Sequence, residues 1–490
     1  MNAQEIAKEF SAAFEALATP AARMALAPLL ALGVGVLVFL LCDVVRALRA
    51  GRAPVFVGAL ALAAAAEVRI LLGERAPGLV FDGTFAADRA TALWGLLFVG
   101  ATLLAWLASL GYYRENRPFK PEHDALMLIT PIGMMLMIGA RDMVVFFVGL
   151  ELLSIPLYAL CAFRRMRQES VEAGVKYFLL GSFSSALFLY GAALVYAAAG
   201  TLSLVELAER DLSSALALAG LALVTASLFF KAAVFPFHLW APDVYQGSPT
   251  PVTALMATGT KAAAFGFLLV QLTPLLPATG RGTVAVLALA TMLLGNLGAL
   301  VQSDLKRMLA YSSVAHAGTL LLLVAAGMGG PDEHGALRAA LYYLGGYLFT
   351  AMGAFGLLAL LEADGTHFTR LESLRGLARS RPVVAALLAL FMLSLGGIPA
   401  TAGFLGKWFV FVVLVDADMT GVAVFAALLS TIALGYYLRV IVVLYMQPPP
   451  EELEPPRTNR LSASLVGALC GAFVLAMGLF PALFLGLLGD

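Results

Sequence analysis

Long apolar runs, separated by short polar segments, repeat along this chain from about residue 20 to its end. A run of about 20 apolar residues is long enough to cross a bilayer as a helix. Fourteen such spans are predicted. The first seven lie near 26–48, 53–73, 90–111, 122–140, 142–163, 172–199 and 213–240. The others lie near 249–273, 283–303, 306–328, 335–361, 382–416, 420–446 and 461–488. The connecting segments are too short for a soluble domain, so residues 1–490 read as a single all-α polytopic membrane domain.

Composition agrees and removes the alternatives. Of 490 residues, 61% are apolar and 13% charged, against about 25% charged in a typical soluble protein. A soluble enzyme could not keep so much apolar surface from water, and a disordered chain is poor in apolar residues. Lys plus Arg and Asp plus Glu number 31 each, giving zero net charge. That balance excludes a nucleic-acid binder driven by a basic surface. Cys42, Cys161 and Cys470 are scattered through apolar runs, and three cysteines fall short of the four ligands of an iron–sulfur cluster. No phosphate-binding loop or dinucleotide fingerprint is present. No cofactor or metal is therefore expected on this chain. Glu5, Lys8, Glu9 and Glu15 make residues 1–20 too acidic for a secretory signal.

The position of the basic residues sets an orientation, because cytoplasmic loops carry an excess of Lys and Arg. With the N-terminus outside, the cytoplasmic loops hold seventeen basic residues, among them Arg49, Arg52, Arg164, Arg167, Lys306, Arg307, Arg370 and Arg460. The outer segments hold eight, including Lys8, Arg89, Arg141 and Arg281. Fourteen spans with both termini on the outer side fit this asymmetry.

Six basic residues remain inside spans: Arg69, Lys176, Lys231, Lys261, Lys407 and Arg439, joined by the carboxylate of Glu151. A charge at a helix centre costs about 2.5–3.5 kcal/mol on insertion scales, so such residues read by default as an ion or proton path. Arg69 and Arg439 have side chains long enough to reach an interface, and Lys176 lies near its helix end. Their roles, with that of Glu67, stay open. Glu151, Lys231, Lys261 and Lys407 lie too deep for this. Burial makes a lysine easier to deprotonate, and a nearby carboxylate opposes that, so moving the carboxylate switches the lysine's proton. His316, near the centre of the tenth span, is a further relay candidate, because imidazole exchanges protons near neutral pH. His238, seven residues after Lys231, would share its face on a continuous helix.

Two spans carry helix breakers beside these lysines. Pro236 follows Lys231, and Gly396, Gly397 and Pro399 precede Lys407. An internal proline removes a backbone hydrogen bond, and unwound backbone at membrane depth survives only within protein or beside water. Interrupted spans at matching positions of two halves point to an inverted-repeat transporter. The predicted layout is N-terminal flanking helices over 1–120, a first repeat over 121–273 (spans 4–8), a second over 281–447 (spans 9–13), and a C-terminal helix over 460–488.

The segments FVGLELLSIPLYALCAF, KYFLLGSFSSALFLYGAALVY, FFKAAVFPFHLWAPDVYQGSPTPVTALMATGTKAAAFG, LLGNLGALVQSDLKRMLAYSSVAHAG and GGIPATAGFLGKW resemble the subunit N family of bacterial respiratory complex I, the NADH–quinone oxidoreductase. The resemblance covers roughly residues 120–445. PDVYQGSPTPVTAL followed by Lys261 matches subunit N among the antiporter-like subunits, and so does Lys407, where subunit M is expected to carry glutamate. The resemblance implies a proton-translocating translocase subunit of the bacterial inner membrane, packed against other complex I membrane subunits and lipid. NADH, FMN, iron–sulfur clusters and quinone are then expected in partner subunits. It implies that Glu151 faces Lys231 to control proton uptake, that Lys261 and His316 connect the halves, that Lys407 is the outlet, and that Lys176 supports Glu151. Two other readings stand beside it: a subunit of a cation/proton antiporter or membrane-bound hydrogenase, and a structural spacer with no conduction of its own.

Overall fold

The computed structural model describes residues 19–73, 77–113, 121–329, 335–362, 366–449 and 461–487. Lys8, Arg75, Arg114, Arg117, Lys120, Arg457 and Arg460, which enter the orientation argument, lie outside them. The chain begins with the helical pair α1 (Pro20–Val44) and α2 (Arg52–Leu72). Thr19 caps α1 by accepting from Ala22 N at 3.2 Å, and Pro20 fits the first helical position, where no N–H is needed. A two-stranded hairpin follows, β1 (Gly78–Val80) against β2 (Phe85–Ala87), and modifies the all-α expectation. Its loop holds Asp82 and Gly83 at positive φ, and Asp-Gly is a hairpin-turn signal.

Next come α3 (Arg89–Tyr112), α4 (Pro121–Gly139), α5 (Met143–Cys161), α6 (Gln168–Ala199), α7 (Ala215–Ala232) and α8 (Trp240–Gly247). They are followed by α9 (Thr250–Leu275), α10 (Arg281–Leu300), α11 (Leu305–Gly327) and α12 (Ala336–Glu362). The last are α13 (Pro382–Gly396), α14 (Ala402–Asp416), α15 (Thr420–Tyr445), α16 (Leu461–Leu479) and α17 (Pro481–Leu487). Among the described residues, eleven helices are long and apolar enough to cross a membrane, or twelve with the α16–α17 pair taken as one bent span. The C-terminal segment is therefore not one straight helix. It bends by 91° at Phe480, because Pro481 cannot continue the hydrogen-bond ladder of α16.

Burial sorts the helices. The apolar window of α9 is wholly buried, and those of α11 and α12 are 94% buried. In α1, α2, α6 and α15 only 33% is buried, leaving apolar faces for lipid. Three enclosed helices thus form the centre and the others wrap them.

The segment expected as one span over 213–240 is two helices joined by a break. α7 ends at Ala232, Ala233 adopts φ 59°, and Val234 N bonds Phe229 O at 2.8 Å. The 382–416 segment behaves the same way. α13 ends at Gly396, Gly397 adopts φ 84°, and Ile398 N bonds Leu393 O at 3.0 Å. In each case the left-handed cap residue and the following N–H satisfy carbonyls of the last helical turn. The breaks share this bonding pattern 164 positions apart. Asp142 and Asp304 likewise cap α5 and α11, accepting from Val144 N at 2.7 Å and Arg307 N at 2.9 Å. Each also forms an isolated antiparallel bridge, to Ser203 and Arg370 respectively.

Candidate functional site: a buried chain of lysines, hydroxyls and histidine

Lys231 occupies the last turn of α7, only 5% exposed. Its ammonium donates to Ser154 Oγ of α5 at 2.6 Å and to Tyr177 OH of α6 at 3.2 Å. The Tyr177 and Tyr158 rings lie 5.2 and 5.8 Å away, so aromatic faces also screen the charge. Glu151, expected to face Lys231, makes no direct ion pair with it among the described residues. Its carboxylate accepts from Ser185 of α6 at 2.5 Å. Ser154, one turn along α5 from Glu151, takes the lysine instead.

Lys261 is 2% exposed at the centre of α9. The helix widens to π geometry on both sides of it, over Met256–Thr260 and Leu268–Leu272, a departure that often marks functional positions. Its ammonium donates to the Ser313 carbonyl and, at 2.6 Å, to Ser313 Oγ. Tyr347 OH donates to the same oxygen at 2.9 Å, which uses both its lone pairs. One turn along α11, His316 Nδ1 lies 2.5 Å from Tyr343 OH. Its Nε2 lies 3.3 Å from Tyr437 OH, which bonds Ser312 Oγ. The hydroxyls and the imidazole among these groups can each donate and accept, which is the requirement for handing on a proton.

Lys407, on α14, is 7% exposed and turns back to the preceding helix. It donates to Leu395 O at 2.9 Å and Gly396 O at 3.1 Å. These are the unsatisfied carbonyls at the negative end of α13, a favourable place for a cation. Lys407 and His316 line one small cavity with Asn296 and Tyr436. Lys261, His316 and Lys407 are thereby brought together, whereas the Lys231 group stands apart. Beside Lys231, Tyr177 stacks on Trp240 at 4.8 Å, and Trp240 meets Tyr245 edge-on at 6.1 Å. Among the described residues no hydrogen bond joins the Lys231 group to Lys261.

Two expected supporting residues sit differently. His238 does not share a face with Lys231, because α7 stops at Ala232 and His238 lies in the break with Pro236, 5.8 Å from the Phe235 ring. Lys176 is 40% exposed and pairs with Glu172 at 2.7 Å and Asp243 at 2.9 Å, not with Glu151. Arg307 holds the other Asp243 oxygen at 2.8 Å. Arg439 donates to Leu300 O at 2.8 Å and Gln302 O at 2.6 Å, capping α10.

Sequence reasoning missed Glu362, a carboxylate 5% exposed at the end of α12. It accepts from Arg164 at 2.5 Å, Tyr112 OH at 2.9 Å and Thr250 Oγ1, with Lys306 Nζ 3.8 Å away. Lys306 also donates to Ser248 O at 2.5 Å. The cluster forms part of the wall of a polar basin of about 530 Å³, which Lys176, Asp243 and Arg370 also line. The available signal was a glutamate closing the run LLALLE, which reads as a loop residue until its partners are known.

The transmembrane family described as NADH:quinone oxidoreductase/Mrp antiporter matches residues 140–433. A "NADH-quinone oxidoreductase subunit N 2" of Rhizobium meliloti is 40% identical over 435 residues, 88% of this chain and 89% of the relative. A subunit N of Myxococcus xanthus is 39% identical, covering 94% and 95%. A chain of respiratory complex I from Thermus thermophilus superposes with a TM-score of 0.79 at 35% identity, over 94% of this chain and 98% of that one. A chain of the Mrp complex from a Dietzia species shares the fold, with a TM-score of 0.79 at 24% identity over 96% of each. The chain therefore belongs to the NADH:quinone oxidoreductase/Mrp antiporter family of membrane proteins and is similar along most of its length to subunit N of NADH-quinone oxidoreductases.

Proposed function

We infer that this chain is a proton-translocating membrane subunit of an NADH-quinone oxidoreductase, conducting protons through its buried Lys–Ser–Tyr–His chain while partner subunits carry the redox chemistry. The observation that supports this most is the enclosed group Lys261–Ser313–Tyr347 with His316 one turn beyond and Lys407 on the same cavity. Four deep charges left unpaired would cost about 10–14 kcal/mol. Here the lysines are met by hydroxyls and carbonyls, which solvate an ammonium without fixing its proton as a carboxylate would.

Each residue then has a task. Glu151, one turn from Ser154, acts on Lys231 through space, and its protonation sets whether Lys231 holds its charge. Lys261 passes a proton by way of the Ser313 hydroxyl toward His316, whose two nitrogens exchange donor and acceptor roles between Tyr343 and Tyr437. Lys407 receives it at the end of α13 and releases it to the outer side. Among the described residues no hydrogen bond links the Lys231 group to Lys261, so transfer between them requires a rearrangement or entering water. That separation is what a pump needs to prevent back-flow.

The matching breaks at Ala233 and Gly397 and the matching caps Asp142 and Asp304 support two inverted repeats, over 121–273 and 281–447. Counting α4, the broken α13–α14 pair and the bent C-terminal pair with the eleven long helices supports fourteen crossings, both termini on the outer side. NADH, FMN, iron–sulfur clusters and quinone belong to partner subunits on this reading, and the membrane is the bacterial inner membrane. Lys231→Ala is expected to assemble, oxidise NADH and pump fewer protons per electron in sealed vesicles. Full stoichiometry in an assembled variant overturns the reading. Sodium-dependent transport without NADH oxidation by the purified assembly would favour the antiporter reading instead.

A further inference from the structure

We propose that the groove between α1 and α2 is a specific phospholipid site, holding one acyl chain of an anionic lipid whose phosphate is bound by Arg49 and Arg52. The groove has a volume of about 570 Å³ and an almost wholly apolar lining that runs from Ala27 to Val38 on α1 and from Val55 to Ala66 on α2. Its floor is set where the helices touch: a Cβ on Gly35 would overlap that of Ala59.

Length identifies the occupant. Eleven residues at 1.5 Å each give about 16 Å along either helix, the reach of one acyl chain, which is about half of a hydrocarbon core about 30 Å thick. A partner helix would follow the whole thickness, not one half. The groove therefore has the length of one acyl chain, and on α1 it occupies the middle of the helix.

Charge says which lipid. On α2 the lining begins at Val55, one turn after the helix start, and the turn Arg46–Gly51 precedes that helix. Arg52 lies three residues before Val55 and prolongs the stripe of Val55, Gly58, Leu62 and Ala66, which recurs every three or four residues on one helix face. Arg52 gives Nη1 to Asp43 Oδ1 at 2.9 Å and Nε to Arg49 O at 3.1 Å, and Arg49 gives Nε to Asp43 O at 3.1 Å. Asp43 fixes the pair but balances only one of the two charges. Among the described residues, Arg52 Nη2 and both Nη groups of Arg49 keep their donors, a fork geometry suited to phosphate.

The test uses the assembled complex in liposomes containing a phosphatidylglycerol with a photoreactive diazirine on its acyl chain, alongside the matching phosphatidylcholine. Cross-linked peptides are mapped by mass spectrometry. The expected result is preferential labelling of residues 27–38 and 55–66 by the anionic probe. Arg49→Gln and Arg52→Gln are each expected to lower it about fivefold, the effect of about 1 kcal/mol per basic residue at an anionic surface. Gly58→Leu fills the groove with both arginines intact, and a Cβ there meets nothing within 4 Å, so the fold is kept and labelling is lost. Equal labelling by both probes that ignores these substitutions overturns the proposal. So does labelling confined to other surfaces because a neighbouring subunit covers the groove.

Discussion

A lysine inside an apolar run announces itself because its charge is costly there, and Lys231, Lys261 and Lys407 were legible for that reason alone. Their partners were not. Ser154, Ser313, Tyr343 and Tyr347 cost little within a helix, so nothing in the sequence separates a hydroxyl that binds an ammonium from one that bonds its own backbone, as Thr102 does to Phe98 O at 2.9 Å. Glu362 was hidden differently, since it follows its apolar run instead of interrupting it. Two outcomes are expected at this scale. Ser313→Ala removes the shared acceptor between Lys261 and Tyr347, a bond to a charged group worth about 1.5–3 kcal/mol; assembly should persist and proton pumping fall. Glu362→Gln leaves Arg164 and Lys306 buried beside a neutral amide, and breaking a buried pair costs about 3–5 kcal/mol. Thermal unfolding of the complex should drop accordingly, or assembly should fail at growth temperature. An unchanged melting temperature would show that the cluster bears no such strain.

At the level of elements, the two breaks could be read from Pro236 and from Gly396, Gly397 and Pro399, but not the caps that complete them. Ala233 takes the left-handed conformation that its counterpart Gly397 takes without penalty. Ala233→Gly is therefore expected to raise stability by about 1 kcal/mol, and Gly397→Ala to lower it by about 1–2 kcal/mol. The second change also sets a Cβ 3.1 Å from Lys407 Cδ, so pumping should suffer beyond the loss of stability. Thermal scans of the two variants, with pumping assays, separate these effects. The π turns around Lys261 left no mark in the sequence, because apolar residues enclosed on every side carry no periodicity. The hairpin at Asp82-Gly83 and the bend at Pro481 did have local signals, which the long apolar runs around them overshadowed.

For the whole molecule, membrane class and approximate span limits follow from hydrophobicity, which is an additive property of each segment. Which helices lie at the centre is not additive, since α9, α11 and α12 are no more apolar than α1 or α15. Their enclosure is a tertiary fact, and it places Lys261, Ser313, His316 and Tyr347 in one protein-lined interior. The proposed orientation has a direct check. Cysteine at Met166, 99% exposed in the α5–α6 loop, should react with an impermeant maleimide only from the cytoplasmic side. Cysteine at Ser213, exposed before α7, should react only from outside, while buried Cys42, Cys161 and Cys470 stay silent. The reverse pattern inverts the topology.

On the proposed path, protons cross this subunit through Lys261 and its hydroxyl neighbours. The most direct measurement is the number of protons translocated per NADH oxidised by purified complex in sealed liposomes, with Lys261 replaced by methionine, which keeps the length and apolar stem but cannot carry a proton. The expected result is an assembled complex that transfers electrons to quinone with a lowered proton-to-electron ratio. A ratio equal to that of the unaltered complex would contradict it.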